Sequence, residues 1–321
     1  MSQFHTTAAL RKCCVNSPID APLAALLRRF RRQRPLRSGS LLITLLGDAI
    51  APRGGRVSLG SLIRLAAPFG LPERLVRTSV ARLAQDGWLA AHRSGRNSEY
   101  ALTALGKRRF AAATRRIYGD RPHAWNRRWT LVLLTAAKGG LERERAREEL
   151  RWLGFGQFGA DLFAHPTYTG EEVRARLADA GMRDLLILLG ACNDQSHNDR
   201  RLVRAGWDLA HLTRAYRRFV RSFAPLAAAL DAADTVEPEI AFVARTLLIH
   251  EYRRIHLRDP LLPDGLLPRT WVGGAAYELC RRLYRDLFNS AERHLSAHAR
   301  RLGGALPPAS RAARERFARA R

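Results

Sequence analysis

Lysine is almost absent from this chain of 321 residues: only Lys12, Lys107 and Lys138 occur, and arginine supplies nearly all the positive charge. Such a preference is typical of a GC-rich genome, so part of the net charge of +26 reflects codon usage. The charge is nevertheless uneven. Residues 37–121 contain fifteen basic and five acidic residues, a net +10, whereas residues 122–192 contain ten and nine. Codon usage would spread arginine evenly, so this excess favours a nucleic-acid partner for the first segment.

Cysteine and long apolar runs are scarce too. The four cysteines have no CxxC spacing and no paired His/Cys set, which argues against a disulfide framework or a zinc site. No apolar run approaches the roughly 18–20 residues of a membrane-spanning helix. The apolar stretch at residues 22–27 precedes an arginine-rich segment, the reverse of a secretory signal. We therefore expect a cytoplasmic protein with no membrane partner and no cofactor.

Residues 38–102 have the pattern of three helices followed by a hairpin. Apolar spacing predicts a first helix over 41–50, and Ser58 is suited to cap a second helix that ends before Pro68. Pro72 suits the start of a third helix, which Gly87 closes. Strands at 88–92 and 99–102 then flank a turn. This order is that of a winged helix-turn-helix module that reads DNA.

The third helix has two contrasting sides. At 100° per residue, Leu75, Val76, Val80 and Leu83 fall together, and we expect them to be buried. The other side offers guanidinium groups, which pair bidentately with guanine, and small residues that allow close approach to the major groove. The hairpin turn adds arginines suited to the DNA backbone or the minor groove. The predicted DNA-binding residues are Arg74, Arg77, Thr78, Ala81, Arg82, Arg93, Arg96 and Asn97. The alternatives are a solvated basic face and a winged helix that contacts protein.

The rest of the chain divides by its periodicity. Alternating strand and helix patterns predict a small ferredoxin-like sheet domain at 122–192, which suits dimerisation, and residues 193–302 are helical. We expect residues 1–36 to be a basic flexible extension, in which residues 22–33 can form a short helix, and residues 303–321 to be a disordered basic tail. The predicted fold class is α+β with several domains: an N-terminal winged helix-turn-helix with its linker helix (37–121), the central sheet and a C-terminal all-α domain.

Long strings of this sequence resemble one known family. LLITLLGDAIAPRGGRVSLGSLIRLAAPFGLPERLVRTSVARLAQDGWL, RIYG, LGFGQF and LLIHEYRRIHLRDPLLPDGLLP are similar to the PaaX family of repressors of phenylacetic acid catabolism. The resemblance spans about residues 38–290. It implies a Cas2-like central domain, a homodimer, and repression that is relieved by phenylacetyl-CoA or a related aryl-acyl-CoA. A dimer in turn implies a double-stranded DNA operator with two inverted half-sites.

An acyl-CoA effector needs cations for its phosphates and an apolar or aromatic cleft for its acyl group. His250, Arg253, Arg254 and Trp271 of the helical domain offer both and are the predicted effector-binding residues. The alternative is that this segment is a packing motif of the helical domain.

Two enzymes are the alternatives to a repressor: a Cas2-like metal-dependent nuclease and a CoA-thioester-processing enzyme. Cas2-like nucleases use an acidic residue at the end of the first strand, where this sequence has Thr135 and Ala136. Asp194, His197 and Asp199 imitate a metal set, but they lie in one polar segment that we expect to be a solvated loop. We therefore expect no catalytic residues, no metal site and no enzymatic activity.

Overall fold

The computed structural model describes residues 17–33, 38–95, 97–119, 125–134, 140–179, 181, 186–193 and 196–317. Within this part, helices and strands alternate through the first two thirds of the chain, and long helices dominate the last third. The helices are α1 (Asp20–Arg31), α2 (Ser38–Leu45), α3 (Leu59–Ala66), α4 (Glu73–Gln85), α5 (Ala104–Tyr118), α6 (Gly140–Leu153), α7 (Gly170–Asp179), α8 (Ser196–Gly206), α9 (Leu209–Asp231), α10 (Pro238–His256), α11 (Gly273–His298) and α12 (Arg311–Arg314). The strands are β1 (Arg56–Ser58), β2 (Leu89–Ser94), β3 (Asn97–Leu102), β4 (Trp129–Leu133), β5 (Gly156–Gln157), β6 (Leu162–His165), β7 (Leu186–Ala191), β8 (Arg300–Arg301) and β9 (Gly304–Ala305).

The first unit combines α2 to α5 with a three-stranded antiparallel sheet in the order β1-β3-β2. Side-chain caps set its helix starts: Ser58 Oγ accepts a hydrogen bond from the Ser61 amide at 3.2 Å, and Thr103 Oγ1 accepts one from the Gly106 amide at 3.0 Å. A single π-helical turn, Leu46–Ile50, extends α2. The helix bounds in this unit agree with the sequence prediction to within a few residues.

The central unit is a four-stranded sheet in the order β5-β6-β4-β7, with antiparallel neighbours throughout. Together with α6 and α7 this is the strand order of a ferredoxin-like unit, as the alternating pattern predicted. Leucines and valines of α6, α7 and β4 form its separate apolar core on one face of the sheet. The edge strand β7 pairs only with β4 among the described strands.

The last third consists chiefly of α9, α10 and α11. Helix α10 is buried on nearly all sides because α11, α9 and α2 surround it. Its core is continuous with that of the first unit, so these two parts of the chain share one apolar interior. No helix in the described part of the chain is long and apolar enough to cross a bilayer.

Both chain ends differ from expectation. The short helix predicted within residues 22–33 is present as α1, but the flexible extension predicted for 1–36 is wrong there, because Leu23, Leu26, Leu27 and Phe30 are buried in the main core. The disordered tail predicted for 303–321 is wrong as far as residue 317. The Ser310 amide donates to the Pro52 carbonyl at 3.0 Å, and the Phe317 ring is 1% exposed. Residues 1–16 and 318–321 lie outside the described residues.

Candidate nucleic-acid interface

Helix α4 begins and ends at signals encoded in its own sequence. Pro72 precedes its first turn in an extended conformation, with ψ at 147°. At the other end, Gly87 has φ +73°, a left-handed conformation that glycine adopts without steric cost. The Gly87 amide donates to the Ala84 carbonyl at 3.0 Å and the Trp88 amide donates to the Leu83 carbonyl at 2.9 Å. This is a Schellman ending, and it fixes the length of α4.

The outer face of α4 carries the predicted DNA-reading residues. Val76, Val80 and Leu83 are buried against α2 and α3. Leu75 was expected to join them, but 37% of its side chain is exposed because it lies about 100° round the helix from Val76. The opposite face is exposed at every predicted position: Arg74, Arg77, Thr78, Ala81 and Arg82.

Two contacts order this face without blocking it. Arg77 Nε donates to Glu73 Oε1 at 2.7 Å, and both side chains are 56% exposed. Such an exposed pair contributes under about 1 kcal/mol and yields readily to a stronger partner. Thr78 Oγ1 donates to the Arg74 carbonyl at 2.9 Å. The guanidinium of Arg77 is therefore available to a guanine edge or a phosphate.

The β2–β3 hairpin projects beside α4. Ser94 pairs with Asn97 across a turn in which Gly95 has φ +56°, and Arg93 is exposed. Arg96 lies outside the described residues, as does the side chain of Asn97. The middle of strand β3 is held by Glu99, whose buried carboxylate accepts from Arg56 Nη1 at 3.2 Å and from the Leu302 amide at 2.9 Å. The C-terminal segment thus supports the hairpin, a role that the sequence did not suggest.

The four predicted effector-binding residues do not form one site. His250 is buried, with Nδ1 3.2 Å from Thr44 Oγ1, and Arg253 donates to Thr44 Oγ1 at 2.8 Å and to the Ser40 carbonyl at 2.6 Å. Burial lowers the pKa of Arg253 to about 10. These two residues fasten α10 to α2, which is the packing role left open as the alternative. The Trp271 ring packs edge-on against Tyr216.

Arg254 alone of the four lines the cavity between α1, α9 and α10, whose volume is about 390 Å³. Arg29, Arg218 and Arg258 line the same cavity, together with several buried apolar side chains. Sequence reasoning missed these three arginines because they come from three distant segments. The RR pairs at 28–29 and 217–218 were the available signal, but nothing local distinguishes them from the many other arginines.

The polar segment that imitated a metal set is partly buried. Asp199 lies in α8 and is 5% exposed, and its Oδ1 accepts a hydrogen bond from Trp129 Nε1 at 2.9 Å. A solvated loop was therefore the wrong expectation for Asp199. Asp194 lies outside the described residues, and His197 is exposed. Among the described residues, no group of three histidine, cysteine or acidic side chains is arranged to hold a metal ion.

Three family models match consecutive parts of the chain. They describe a PaaX-like protein (residues 37–106), a PaaX protein central Cas2-like domain (122–203) and a PaaX-like protein C-terminal domain (207–297). The transcriptional repressor PaaX of Escherichia coli (strain K12) is 37% identical over 280 residues, which are 85% of this chain and 87% of that protein. A solved structure of an uncharacterized protein from Mycobacterium tuberculosis matches with 22% identity and a TM-score of 0.46, over 78% of this chain and 96% of that chain.

Proposed function

The chain belongs to the PaaX family of transcriptional repressors, and from this premise we propose that it represses transcription with α4 as its reading helix in the DNA major groove. In this proposal, residues 37–121 form a winged helix-turn-helix with β2 and β3 as the wing. The protein regulates rather than catalyses, acts in the cytoplasm and needs no cofactor.

The exposed outer face of α4 is the observation that carries the proposal. It presents two guanidinium groups, a threonine hydroxyl and Ala81 at one solvent-facing surface. A major groove about 12 Å wide admits a helix with this profile, and arginine recognises guanine N7 and O6 there. Arg82, at the edge of the face, and Arg93, on the hairpin, suit phosphate contacts, which add affinity but little sequence preference.

We further propose that two copies associate through the Cas2-like domain. Ile187 of β7 packs against the core under α6 and α7, so the alternate residues Leu186 and Leu188 face the other side of the sheet. Each of these leucines is 46% exposed, on a strand that pairs with β4 alone among the described strands. An exposed apolar edge strand of this kind is typically covered in the native assembly, and a second copy of the chain would cover it symmetrically. The two α4 helices would then read inverted half-sites.

The proposed signal for release is phenylacetyl-CoA or a related aryl-acyl-CoA. Support for this part comes from family membership and from the cavity that combines arginines with apolar side chains. A ligand releases DNA only if it binds one conformation of the dimer better than the other. The geometry preferred with ligand bound would then no longer match the spacing of the half-sites.

Fluorescence anisotropy with fragments of the promoter region upstream of the protein's own coding sequence tests the DNA-binding part. Arg77→Ala should weaken specific binding by about 1–3 kcal/mol and relax the preference at one base position. Arg82→Ala should weaken binding to specific and random duplexes alike and flatten the salt dependence. Arg174→Ala, an exposed change on α7, is the matched control and should leave both affinities unchanged. Equal effects of the Arg77 and Arg82 variants on every duplex would show that α4 is not the reading helix.

A further inference from the structure

The cavity between α1, α9 and α10 has an apolar floor and a cationic rim. Its floor includes buried side chains from all three helices, among them Phe30, Leu212, Phe223 and Leu247. Its rim carries the four arginines Arg29, Arg218, Arg254 and Arg258, and a single carboxylate, Glu251.

We propose that this cavity binds an acyl-CoA thioester with an apolar acyl group, and that α1 transmits its occupancy to the reading helix. The inference rests on the proposed function, because it locates the effector site and names the coupling element of the same repressor. It places the acyl group on the apolar floor and the phosphates of the ligand at the arginine rim.

The charge of the rim selects an anionic head group. Glu251 already accepts from Gln33 Nε2 at 3.2 Å and from Arg254 Nη1 at 3.3 Å, so its charge is partly satisfied. The other three arginines of the rim are exposed and can turn toward phosphate oxygens. Guanidinium groups bind phosphate through paired, charge-assisted hydrogen bonds. A volume of about 390 Å³ accommodates an aryl-acyl group, and the bulk of the nucleotide would lie along the open rim.

Helix α1 forms one wall of the cavity, and polar contacts join this helix and the residues just after it to the opposite walls. Arg29 Nη1 donates to Ser222 Oγ of α9, and Gln33, two residues past the end of α1, donates to Glu251 of α10. Phosphates at the rim would compete for Arg29, and an acyl group would press on Phe30. Entry of the ligand therefore disturbs the contacts that hold α1 against α9 and α10.

The same helix is anchored to the segment that leads into α4. Arg31 Nη2 donates to the Pro68 carbonyl at 2.8 Å, and Arg31 Nε donates to the Phe69 carbonyl at 3.3 Å. The Phe30 ring packs edge-on against Phe69, with centroids 6.3 Å apart. Phe69 lies only a few residues before Glu73, the first residue of α4. A shift of α1 thus moves the turn that sets the position of the reading helix.

A second cavity, also lined by arginine, serves as a comparison because it does not contact α1. It lies between α8, α9 and the loop before α11, has a volume of about 820 Å³ and is lined by Arg214 of α9. None of its lining residues belongs to α1 or to the first unit. A ligand there has no comparable contact with the turn before α4. Arg214 and Arg218 are both exposed and one helical turn apart on α9, yet they line different cavities, so they form a matched pair.

The test titrates phenylacetyl-CoA, CoA and phenylacetate into the full-length protein by calorimetry. Phenylacetyl-CoA should bind the native protein more tightly than either fragment does. Arg218→Ala should raise its Kd by roughly tenfold or more, whereas Arg214→Ala should leave it within about twofold. Ala215→Trp, which fills the cavity, should abolish ligand binding. The reverse ranking of the Arg218 and Arg214 variants, or ligand binding by the Ala215→Trp variant, would overturn the assignment of the cavity.

The proposed coupling between the cavity and α4 is measured separately, as the release of operator DNA when ligand is added. Arg31→Ala should bind both DNA and phenylacetyl-CoA, but the ligand should no longer weaken DNA binding. An Arg31 variant that releases DNA as the native protein does would overturn the role of α1. If the native protein binds its operator but none of the three probes, the proposal that this cavity binds the effector is rejected, while the DNA-binding proposal stands. If it binds no DNA, the proposed function itself fails.

Discussion

Asp48 is the centre of a buried charge cluster that joins three parts of the chain. Its Oδ1 accepts hydrogen bonds from Tyr118 Oη at 2.7 Å, Tyr284 Oη at 2.9 Å and Arg316 Nη1 at 2.9 Å. Arg245 Nε lies 3.2 Å from its Oδ2. Burial alone raises the pKa of Asp48, but the attraction of the two guanidinium groups and the phenol hydrogen bonds outweigh it, so the pKa lies below its ordinary value. The Asp48 carboxylate therefore stabilises the junction between the first unit, helix α11 and the C-terminal segment.

We predict that Asp48→Asn lowers the free energy of unfolding by about 3–5 kcal/mol, because removing one member of a buried ion pair leaves the other without its counter-charge. The amide keeps the shape of the carboxylate, so packing changes little. Arg245 retains Glu292, with Nη1 2.9 Å from Oε1. The loss therefore falls mainly on Arg316, which keeps neutral acceptors such as the Asp48 carbonyl at 3.0 Å.

Urea denaturation of the full-length protein at pH 7, followed by tryptophan fluorescence, measures this loss. The exposed change Asp234→Asn is the control and should cost less than about 0.5 kcal/mol. The double variant Asp48→Asn/Arg316→Met should recover part of the loss, because it also removes the buried charge left unpaired.

The pH dependence gives an independent check. Since the folded-state pKa of Asp48 is depressed, its stabilisation is present above the unfolded value of about 3.9 and is lost as the pH falls through the folded value. The difference between native protein and Asp48→Asn should therefore be equal at pH 8 and pH 5 and should shrink only in stronger acid. A difference in the free energy of unfolding below about 1 kcal/mol at pH 7, or one that grows on acidification, would show that Asp48 does not stabilise the fold through its charge.

Two further predictions concern the central sheet. Burial lowers the pKa of His165 to about 4, although its hydrogen bond to the Pro260 carbonyl acts in the opposite direction. As the pH falls below 6.5, the histidine is therefore protonated in the unfolded state before it is protonated in the folded state. The free energy of unfolding should therefore decrease by about 2–3 kcal/mol between pH 6.5 and pH 4, as measured by urea titrations. In the His165→Gln variant this decrease should be smaller. A variant whose stability falls with pH as steeply as that of the native protein would contradict the prediction. Leu188→Asp should halve the mass measured by light scattering, whereas Leu302→Asp, another exposed leucine change, should not. A Leu188 variant that stays dimeric would exclude this edge as the interface.

The local structure of the first unit was predictable because its signals are local. The caps at Ser58 and Thr103, the start at Pro72 and the ending at Gly87 each act within a few residues of their own position. The outward arginines of α4 followed from helical periodicity alone. Leu75 was misplaced because the edge of a helical face depends on where the neighbouring helices end.

The two chain ends and the effector site were not predictable in this way. Phe30 of α1 packs edge-on against the His250 ring, more than two hundred residues away, and Phe317 packs against Tyr284. Both chain ends are rich in arginine and therefore looked like solvated tails. Whether a segment is buried depends on its packing partners, and these partners are distant in sequence. His250 and Arg253 looked like ligand-binding groups, yet their hydrogen bonds go to α2.

The local order of helices and strands, the family and the basic face of α4 follow from the sequence, since each depends on spacing between near neighbours. That α1 and the C-terminal segment belong to the core became visible only in the folded chain. Folding alone gathered Arg29, Arg218, Arg254 and Arg258 round one apolar cavity. The physical reason is that a cavity and a buried ion cluster are formed by side chains from separate segments, and the chain must pack before those side chains meet.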